Sequence, residues 1–174
     1  SADFDFGMGA SGSEIIFENN DIYSRIIFEI ADSADITNNR IHPSSTQFHL
    51  QGENKLMQNN TFFAPATPRA TLIDIAGVGI HSLNNSEIKN NIFNSTGLDY
   101  TIRANAAVAE FNLKNVTIVG NTFISDGGQA IFVRDSVGYL NITGNTFISG
   151  NKYLYSYNYT EQGANVILQN ENLT

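Results

Sequence analysis

The same ten-residue motif occurs twice near the end of this chain, as VTIVGNTFIS at 116–125 and as LNITGNTFIS at 140–149. The second copy begins 24 residues after the first. A near-identical segment that recurs at this separation indicates a repeat architecture, so the search for further copies comes before any assignment of helices or strands.

Weaker copies of the motif extend over most of the chain. Aligned on the Asn of GNTF, the anchor positions are Asn20, Asn39, Asn60, Asn91, Asn121 and Asn145, with Glu171 in a seventh copy. The residues three before and two after the anchor are apolar in every copy, and the residue just before it is always Asn or Gly. Because Asn and Gly tolerate the left-handed backbone conformation, each copy predicts a short strand, a tight corner and a second short strand.

The anchors are separated by 19, 21, 31, 30, 24 and 26 residues. One turn of a β-solenoid with loops of variable length has this size, and no long stretch shows the periodicity of helical repeats. A further strand precedes most copies, as in FDF (4–6), IIFEI (26–30), QFHLQ (47–51), TLIDI (71–75), QAIFVR (129–134) and KYLYSYNY (152–159). The pattern predicts about seven three-sided coils, with Asn side chains stacked about 4.8 Å apart in a hydrogen-bonded ladder at one corner.

The [IVL]-x-[NG]-N-x-[FI] signature covers roughly residues 13–174 and resembles the repeat of right-handed parallel β-helix proteins of the pectate lyase-like superfamily. The resemblance implies an all-β fold: a right-handed, single-stranded parallel β-helix with an asparagine ladder. It leaves the function open, because this superfamily includes polysaccharide lyases, glycoside hydrolases, epimerases, phage tailspikes and scaffolds. Since the family's enzymes usually have more coils, we expect residues 1–174 to form a single domain that is a fragment or accessory domain of a larger protein.

Composition excludes several classes of function. The 174 residues are 41% hydrophobic and 15% charged, and no apolar run approaches the roughly 20 residues needed to span a bilayer. A net charge of −8, with only nine Lys and Arg residues, argues against nucleic acid as a partner. The absence of cysteine excludes disulfides and thiol catalysis, and the three widely spaced histidines predict no metal site.

Alternation within the strands that precede the corners identifies candidate catalytic residues. It places Asp5, Glu29, His49 and Asp74 in one outward column, with neighbours about 4.8 Å apart and next-nearest members about 10 Å apart. These distances bracket the carboxyl separations of retaining and inverting glycosidases. Arg103 and Arg134 extend the column and suit an acidic sugar or proton abstraction, so we predict Glu29, Asp74, Arg103 and Arg134 as catalytic. The alternative is that outward positions of a sheet are simply polar.

Aromatic and loop residues supply candidates for substrate binding. The stretch YLYSYNY (153–159) puts four tyrosines on one face, which is either an outward stacking platform for sugar rings or the aromatic end of the core. Extra loops around APATPR with AGVGIHSLNN, and around GLDYTIRANAAVAEF, either wall a groove or merely decorate the solenoid. The predicted substrate-binding residues are Asp5, His49, His81, Tyr100, Tyr153 and Tyr155.

These features favour a carbohydrate-directed domain that binds an extended polysaccharide and, in a narrower hypothesis, cleaves it as a lyase or glycoside hydrolase. The rival is a non-catalytic structural or adhesion module, such as a tailspike segment or an oligomerising scaffold, for which a homotrimer is expected. The resemblance to lyases implies Ca²⁺ as the cofactor to consider, although no cluster of acids with a basic partner stands out in this sequence. We expect an extracellular, cell-surface or virion location.

Overall fold

The computed structural model describes residues 6–7, 14–23, 26–28, 33–43, 48–64, 71–75, 82–105, 112–134, 139–148, 153–158, 166–169 and 171–174. Its strands form three parallel sheets in which neighbouring strands come from successive coils. The chain is therefore an all-β, right-handed parallel β-helix, as the sequence predicts.

Each sheet collects one strand from each coil. Sheet A contains, in spatial order, Phe6–Gly7, Ile26–Phe28, Phe48–Leu50, Thr71–Asp74, Tyr100–Asn105, Gln129–Arg134 and Tyr153–Asn158. Sheet B contains Glu14–Glu18, Ser33–Thr37, Lys55–Gln58, Ser82–Lys89, Asn112–Val119, Leu140–Thr143 and Val166–Gln169, and Gly52–Glu53 also pairs with Ser82–Lys89. Sheet C contains Asp21–Ile22, Arg40–Ile41, Thr61–Phe62, Ile92–Asn94, Thr122–Ile124, Thr146–Ile148 and Asn172–Leu173.

The corner between sheets B and C has the predicted left-handed backbone. The φ angles lie between 54° and 65° at the six described positions that precede an anchor, namely Asn19, Asn38, Asn59, Asn90, Gly120 and Gly144. This confirms that the Asn or Gly before these anchors takes the left-handed backbone conformation. Asn and Gly are the residue types that adopt positive φ at the lowest cost. Asn170, the seventh member, lies outside the described residues.

The anchor asparagines fill the space inside this corner. Asn39, Asn60, Asn91, Asn121 and Asn145 are each at most 1% exposed. Asn91 is typical: its Oδ1 accepts hydrogen bonds from the backbone N and the Nδ2 of Asn60, at 2.9 and 3.0 Å. Its Nδ2 donates to the Met57 carbonyl at 2.9 Å and to Asn121 Oδ1 at 3.0 Å. One side chain therefore satisfies polar groups in both neighbouring coils.

Apolar columns flank the ladder and form the core. Ile36, Met57, Ile88, Ile118 and Ile142 precede the corner, and Ile41, Phe62, Phe93, Phe123 and Phe147 follow it; all ten are at most 2% exposed. The phenylalanine rings stack from coil to coil with centroids 4.9 to 5.2 Å apart. In the edge strands the burial is incomplete, and Leu173 is 70% exposed.

Sheet B bends at a second asparagine column that the sequence analysis does not identify. Asn54, Asn85 and Asn115 have φ angles of 52°, 47° and 57°. Asn115 Nδ2 donates to Asn85 Oδ1 at 3.1 Å. Stacked left-handed asparagines therefore turn the chain at two places in these coils.

Both predicted loops contain strand residues, and SLNN at the end of the first begins the strand Ser82–Lys89. The stretch GLDYTIRANAAVAEF contains the strand Tyr100–Asn105, which pairs with Thr71–Asp74 on one side and with Gln129–Arg134 on the other. Ile102 and Ala104 are each 1% exposed, so this segment extends the apolar interior of sheet A. Short alternating segments with small residues carry a weak strand signal, which explains the error.

We expect Asn91→Ala to lower the free energy of unfolding by about 3 kcal/mol, because it leaves buried groups in two neighbouring coils without their partners. Asn20→Ala is the matched control. Asn20 occupies the end of the ladder and is only half-buried, so its loss is expected to cost about 1 kcal/mol. Chemical denaturation measures both changes in unfolding free energy. Equal changes would contradict the larger contribution expected from the buried part of the ladder.

Candidate functional site

The register of sheet A redefines the predicted outward column. Asp74 is aligned with His49 on one side and with Arg103 on the other. Beyond His49 the row continues to Ile27, not to Glu29, and beyond Arg103 it continues to Phe132 and Ser156. His49, Asp74 and Arg103 therefore lie in one row, as the predicted column has them, and the continuation of that column from His49 to Glu29 is wrong. The number of residues between strands varies, so alternation within a strand does not determine which residues are aligned between coils.

The other predicted residues stand as follows. Arg134 is aligned with Asn105 and Asn158, so it lies outside the row of Asp74 and Arg103. Tyr155 is aligned with Ile131, which is 1% exposed, and Tyr153 with Gln129. Only the backbone is described at His49, Arg134, Tyr153 and Tyr155, and the residues wholly outside the described part of the chain are Asp5, Glu29 and His81. Their functional roles stay predictions.

Asp74 and Arg103 form an ion pair that is largely shielded from solvent. Arg103 Nη2 donates to Asp74 Oδ2 at 2.6 Å, and the side chains are 22% and 4% exposed for Arg103 and Asp74. The outward position of Asp74 therefore does not make it accessible. In such a pair each charge compensates the cost of burying the other, so both are held in place.

Two aromatic rings adjoin this pair. The Tyr100 and Phe132 centroids are 5.0 Å apart with an interplanar angle of 41°, and both residues are half-buried. Phe132 is the register neighbour of Arg103. Phe132, which is not among the predicted site residues, therefore connects Tyr100 to the row that contains Asp74 and Arg103.

The residues next to Asp74 limit the reactions that this cluster could catalyse. General acid–base hydrolysis of a glycosidic bond uses two carboxyl groups placed on either side of it. The register neighbours of Asp74 are a histidine and an arginine. Within the described ranges, no group of three or more His, Asp and Glu residues is placed to hold a metal ion. The catalytic roles of Glu29, Asp74, Arg103 and Arg134 stay predictions.

A second cluster, on the outer face of sheet C, is more accessible. Tyr23, His42 and Phe63 follow three successive strands and stack face to face: the Tyr23 and His42 centroids are 4.2 Å apart at 7°, and those of His42 and Phe63 are 4.1 Å apart at 2°. Tyr23 adjoins Asp21–Ile22, the edge strand of sheet C among the described strands, and is 68% exposed. We call these three rings the aromatic stack.

Charged side chains border the aromatic stack. Asp21 Oδ1 lies 3.1 Å from His42 Nε2, and Asp21 Oδ2 lies 4.0 Å from Arg40 Nε. The guanidinium carbon of Arg40 lies 4.9 Å from the centre of the Phe63 ring. The Asp21 and Arg40 side chains are 50% and 61% exposed. A free ring face, a carboxylate and a guanidinium are therefore accessible in the same part of the surface.

A simple signal in the sequence locates the aromatic stack. Its members stand three residues after the anchors Asn20, Asn39 and Asn60. The position two after each anchor faces inward, so the next position faces outward. In the later copies the same position holds Asn94, Ile124 and Ile148, which confines the ring column to the first three copies.

Comparison with known proteins identifies the fold family. The family model described as "Right handed beta helix region" matches residues 9–174. No curated protein and no solved structure matches the chain. The described residues contain no helix that is long and apolar enough to cross a membrane.

We expect Arg103→Met to lower the free energy of unfolding by about 3 kcal/mol, since it leaves the Asp74 carboxylate buried without its guanidinium. Arg40→Met is the matched control, because the Arg40–Asp21 pair is exposed and its loss should change stability by about 1 kcal/mol at most. Equal effects of the two substitutions in denaturation curves would contradict the shielded character of the Asp74–Arg103 pair.

Proposed function

We propose that this chain, which belongs to the right-handed β-helix family, is a carbohydrate-binding domain whose recognition site is the aromatic stack of sheet C. The observation that carries the proposal is the exposed Tyr23 ring, which stands at the end of a column of parallel rings with Asp21 and Arg40 beside it.

The stack suits the two kinds of surface that a sugar ring presents. An apolar C–H face packs on the open face of an aromatic ring, and the hydroxyl groups at the rim need charged or polar partners. Tyr23 offers the ring, while Asp21 accepts and Arg40 donates hydrogen bonds. In this proposal one sugar ring becomes the fourth member of the stack.

His42 and Phe63 contribute by holding Tyr23. Stacking at 4.2 and 4.1 Å restricts the tilt of the three rings. A ring that is already oriented loses less side-chain entropy when a ligand binds, so preorganisation raises affinity. This support distinguishes Tyr23 from Tyr139, which is 38% exposed and stacks on no other ring among the described residues.

The charge of the chain favours a neutral glycan. The net charge is −8, and the carboxylate of Asp21 lies close to the ring that would receive the sugar. A polyanionic polysaccharide would meet repulsion over the whole molecule and at this site. We therefore expect neutral polysaccharides to bind more tightly than uronic acid polymers.

The alternative is a structural or adhesion module that self-associates. Its support is Ile92, which is 43% exposed within sheet C, between its register neighbours Thr61 and Thr122. A single exposed apolar side chain is also normal on a monomer, so the oligomeric state has to be measured. Light scattering distinguishes the two proposals, since a stable trimer that fails to bind glycans would favour the scaffold.

We expect Tyr23→Ala to weaken binding to neutral polysaccharides about tenfold, equivalent to about 1.4 kcal/mol. Affinity electrophoresis or calorimetry would measure it on the intact chain. Tyr23→Phe keeps the ring and should bind like the wild type, and Tyr139→Ala removes an exposed tyrosine elsewhere and should also have no effect. If Tyr23→Ala binds polysaccharide as tightly as the wild type, the aromatic stack is not the binding site. If the wild type binds no neutral or acidic polysaccharide, the proposal is refuted.

Cleavage of the bound polysaccharide is tested separately. New reducing ends would indicate hydrolysis, and ultraviolet-absorbing unsaturated sugars would indicate β-elimination; both assays would be run with and without Ca²⁺. If Asp74 is catalytic, Asp74→Asn abolishes turnover while Tyr23→Phe retains it. Activity that survives Asp74→Asn would end the catalytic interpretation of that residue.

A further inference from the structure

The asparagine ladder follows one hydrogen-bonding rule from coil to coil. In the five rungs from Asn39 to Asn145, the side-chain Nδ2 donates to the backbone carbonyl that stands three residues before the preceding anchor. The donors Asn39, Asn60, Asn91, Asn121 and Asn145 pair in this way with the carbonyls of Phe17, Ile36, Met57, Ile88 and Ile118, at 2.8 to 3.0 Å. Each of these side chains therefore supplies one acceptor atom and two N–H donors, one of which reaches this carbonyl.

Glu171 occupies the next rung with a carboxyl group. Its Oε2 accepts a hydrogen bond from the backbone N of Asn145 at 3.0 Å, as an asparagine Oδ1 does in the other rungs. Its Oε1 takes the place of the amide nitrogen, and this atom is buried and has no hydrogen-bond partner among the described residues. In the same pattern, the expected partner of the Glu171 side chain is the backbone carbonyl of Ile142, three residues before the preceding anchor Asn145. An ionised carboxylate has no hydrogen to donate to it.

The neighbouring strands provide no charge to stabilise an ionised Glu171. Leu140–Thr143, Thr146–Ile148, Val166–Gln169 and Asn172–Leu173 contain no Asp, Glu, Lys, Arg or His. Burial raises the pKa of Glu171 above its usual 4.5, and the hydrogen bonds from Asn145 oppose this rise only in part.

We infer that Glu171 occupies the seventh rung of the asparagine ladder as a neutral carboxylic acid, with the proton on Oε1 donated to the Ile142 carbonyl in place of an asparagine amide. Loss of this proton to solvent leaves two buried acceptors facing one another without a hydrogen between them. The seventh rung is therefore a pH-sensitive contact, which is intact in acid and weakened at neutral pH.

The direction of the pH effect follows from proton linkage. The folded state keeps the proton to a higher pH than the unfolded state, whose carboxyl has the usual pKa of 4.5. The stabilisation is fully present below that value and is lost as the pH rises through the raised pKa of the folded state. Above the raised pKa, Glu171 is ionised in both the folded and the unfolded state, so this group no longer changes the free energy of unfolding with pH.

Glu171→Gln tests the inference, because the glutamine amide has nearly the same shape and donates at every pH. The difference in unfolding free energy between variant and wild type would be measured from about pH 4 to about pH 8, so that all other titrating groups cancel. We expect no difference in acid and a stabilised variant at neutral pH. Between the two pKa values the ratio of folding constants should grow by up to tenfold per pH unit.

Glu18→Gln is the matched control, since Glu18 is an exposed glutamate in the edge strand of sheet B. Its stability difference should not show this rise with pH. Hydrogen exchange at the Asn145 amide, which bonds Glu171, supplies a local readout: its protection should fall with rising pH in the wild type and persist in Glu171→Gln. A difference that stays flat across the pH range, or equal protection in both proteins, would overturn the inference.

Discussion

The structure depends on satisfying backbone groups inside the corner between sheets B and C. A sharp turn of the chain leaves N–H and C=O groups that strand pairing does not reach, and in a solenoid this turn is buried between the coils above and below. An unpaired buried polar group costs about 1 to 3 kcal/mol, so a defect repeated in every coil would exceed the stability of a domain. The asparagine amide solves the problem because it carries one acceptor and two donors on a short stem.

This solution also fixes the register at the corner. Each anchor contacts the anchors in the adjacent coils, as Asn91 contacts Asn60 and Asn121. The residues just before and after the ladder therefore recur at the same height in every coil, which aligns the apolar columns and the phenylalanine stack. The aromatic stack is the outward counterpart of this alignment, since its rings stand one residue beyond the inward column.

The features close to the anchors could be predicted from sequence, and those far from them could not. The apolar columns and the left-handed positions lie within three residues of the Asn and are confirmed. Sheet A is separated from the anchors by segments of different length, so the register of Asp74 with Arg103 and Ile27 with His49 depends on how those segments fold. The aromatic stack could be predicted from the repeat, because its rings stand three residues after the first three anchors.

Lys55 illustrates a further limit. It is 2% exposed in sheet B, aligned with Ala34, and its Nζ donates to the Glu53 carbonyl at 3.1 Å. A lysine in a repeat is ordinarily assigned to the surface, and only the small neighbouring side chains of Ala34 and Ser86 allow this one to lie inside. Whether such a polar side chain is buried depends on the volume and the hydrogen-bonding groups of the adjacent coils. The sequence of a single repeat does not contain this information.

The two clusters of outward side chains differ in what they leave for a ligand. Asp74 and Arg103 satisfy one another below the surface, so a ligand would have to break a shielded ion pair before using either charge. In the aromatic stack the protein uses the inner face of Tyr23 and leaves much of that side chain exposed, with Asp21 and Arg40 in contact with solvent. Binding there displaces water from a ring that is already oriented, and it requires no loss of a buried interaction. Accessibility, more than charge, therefore decides which outward column is available for recognition.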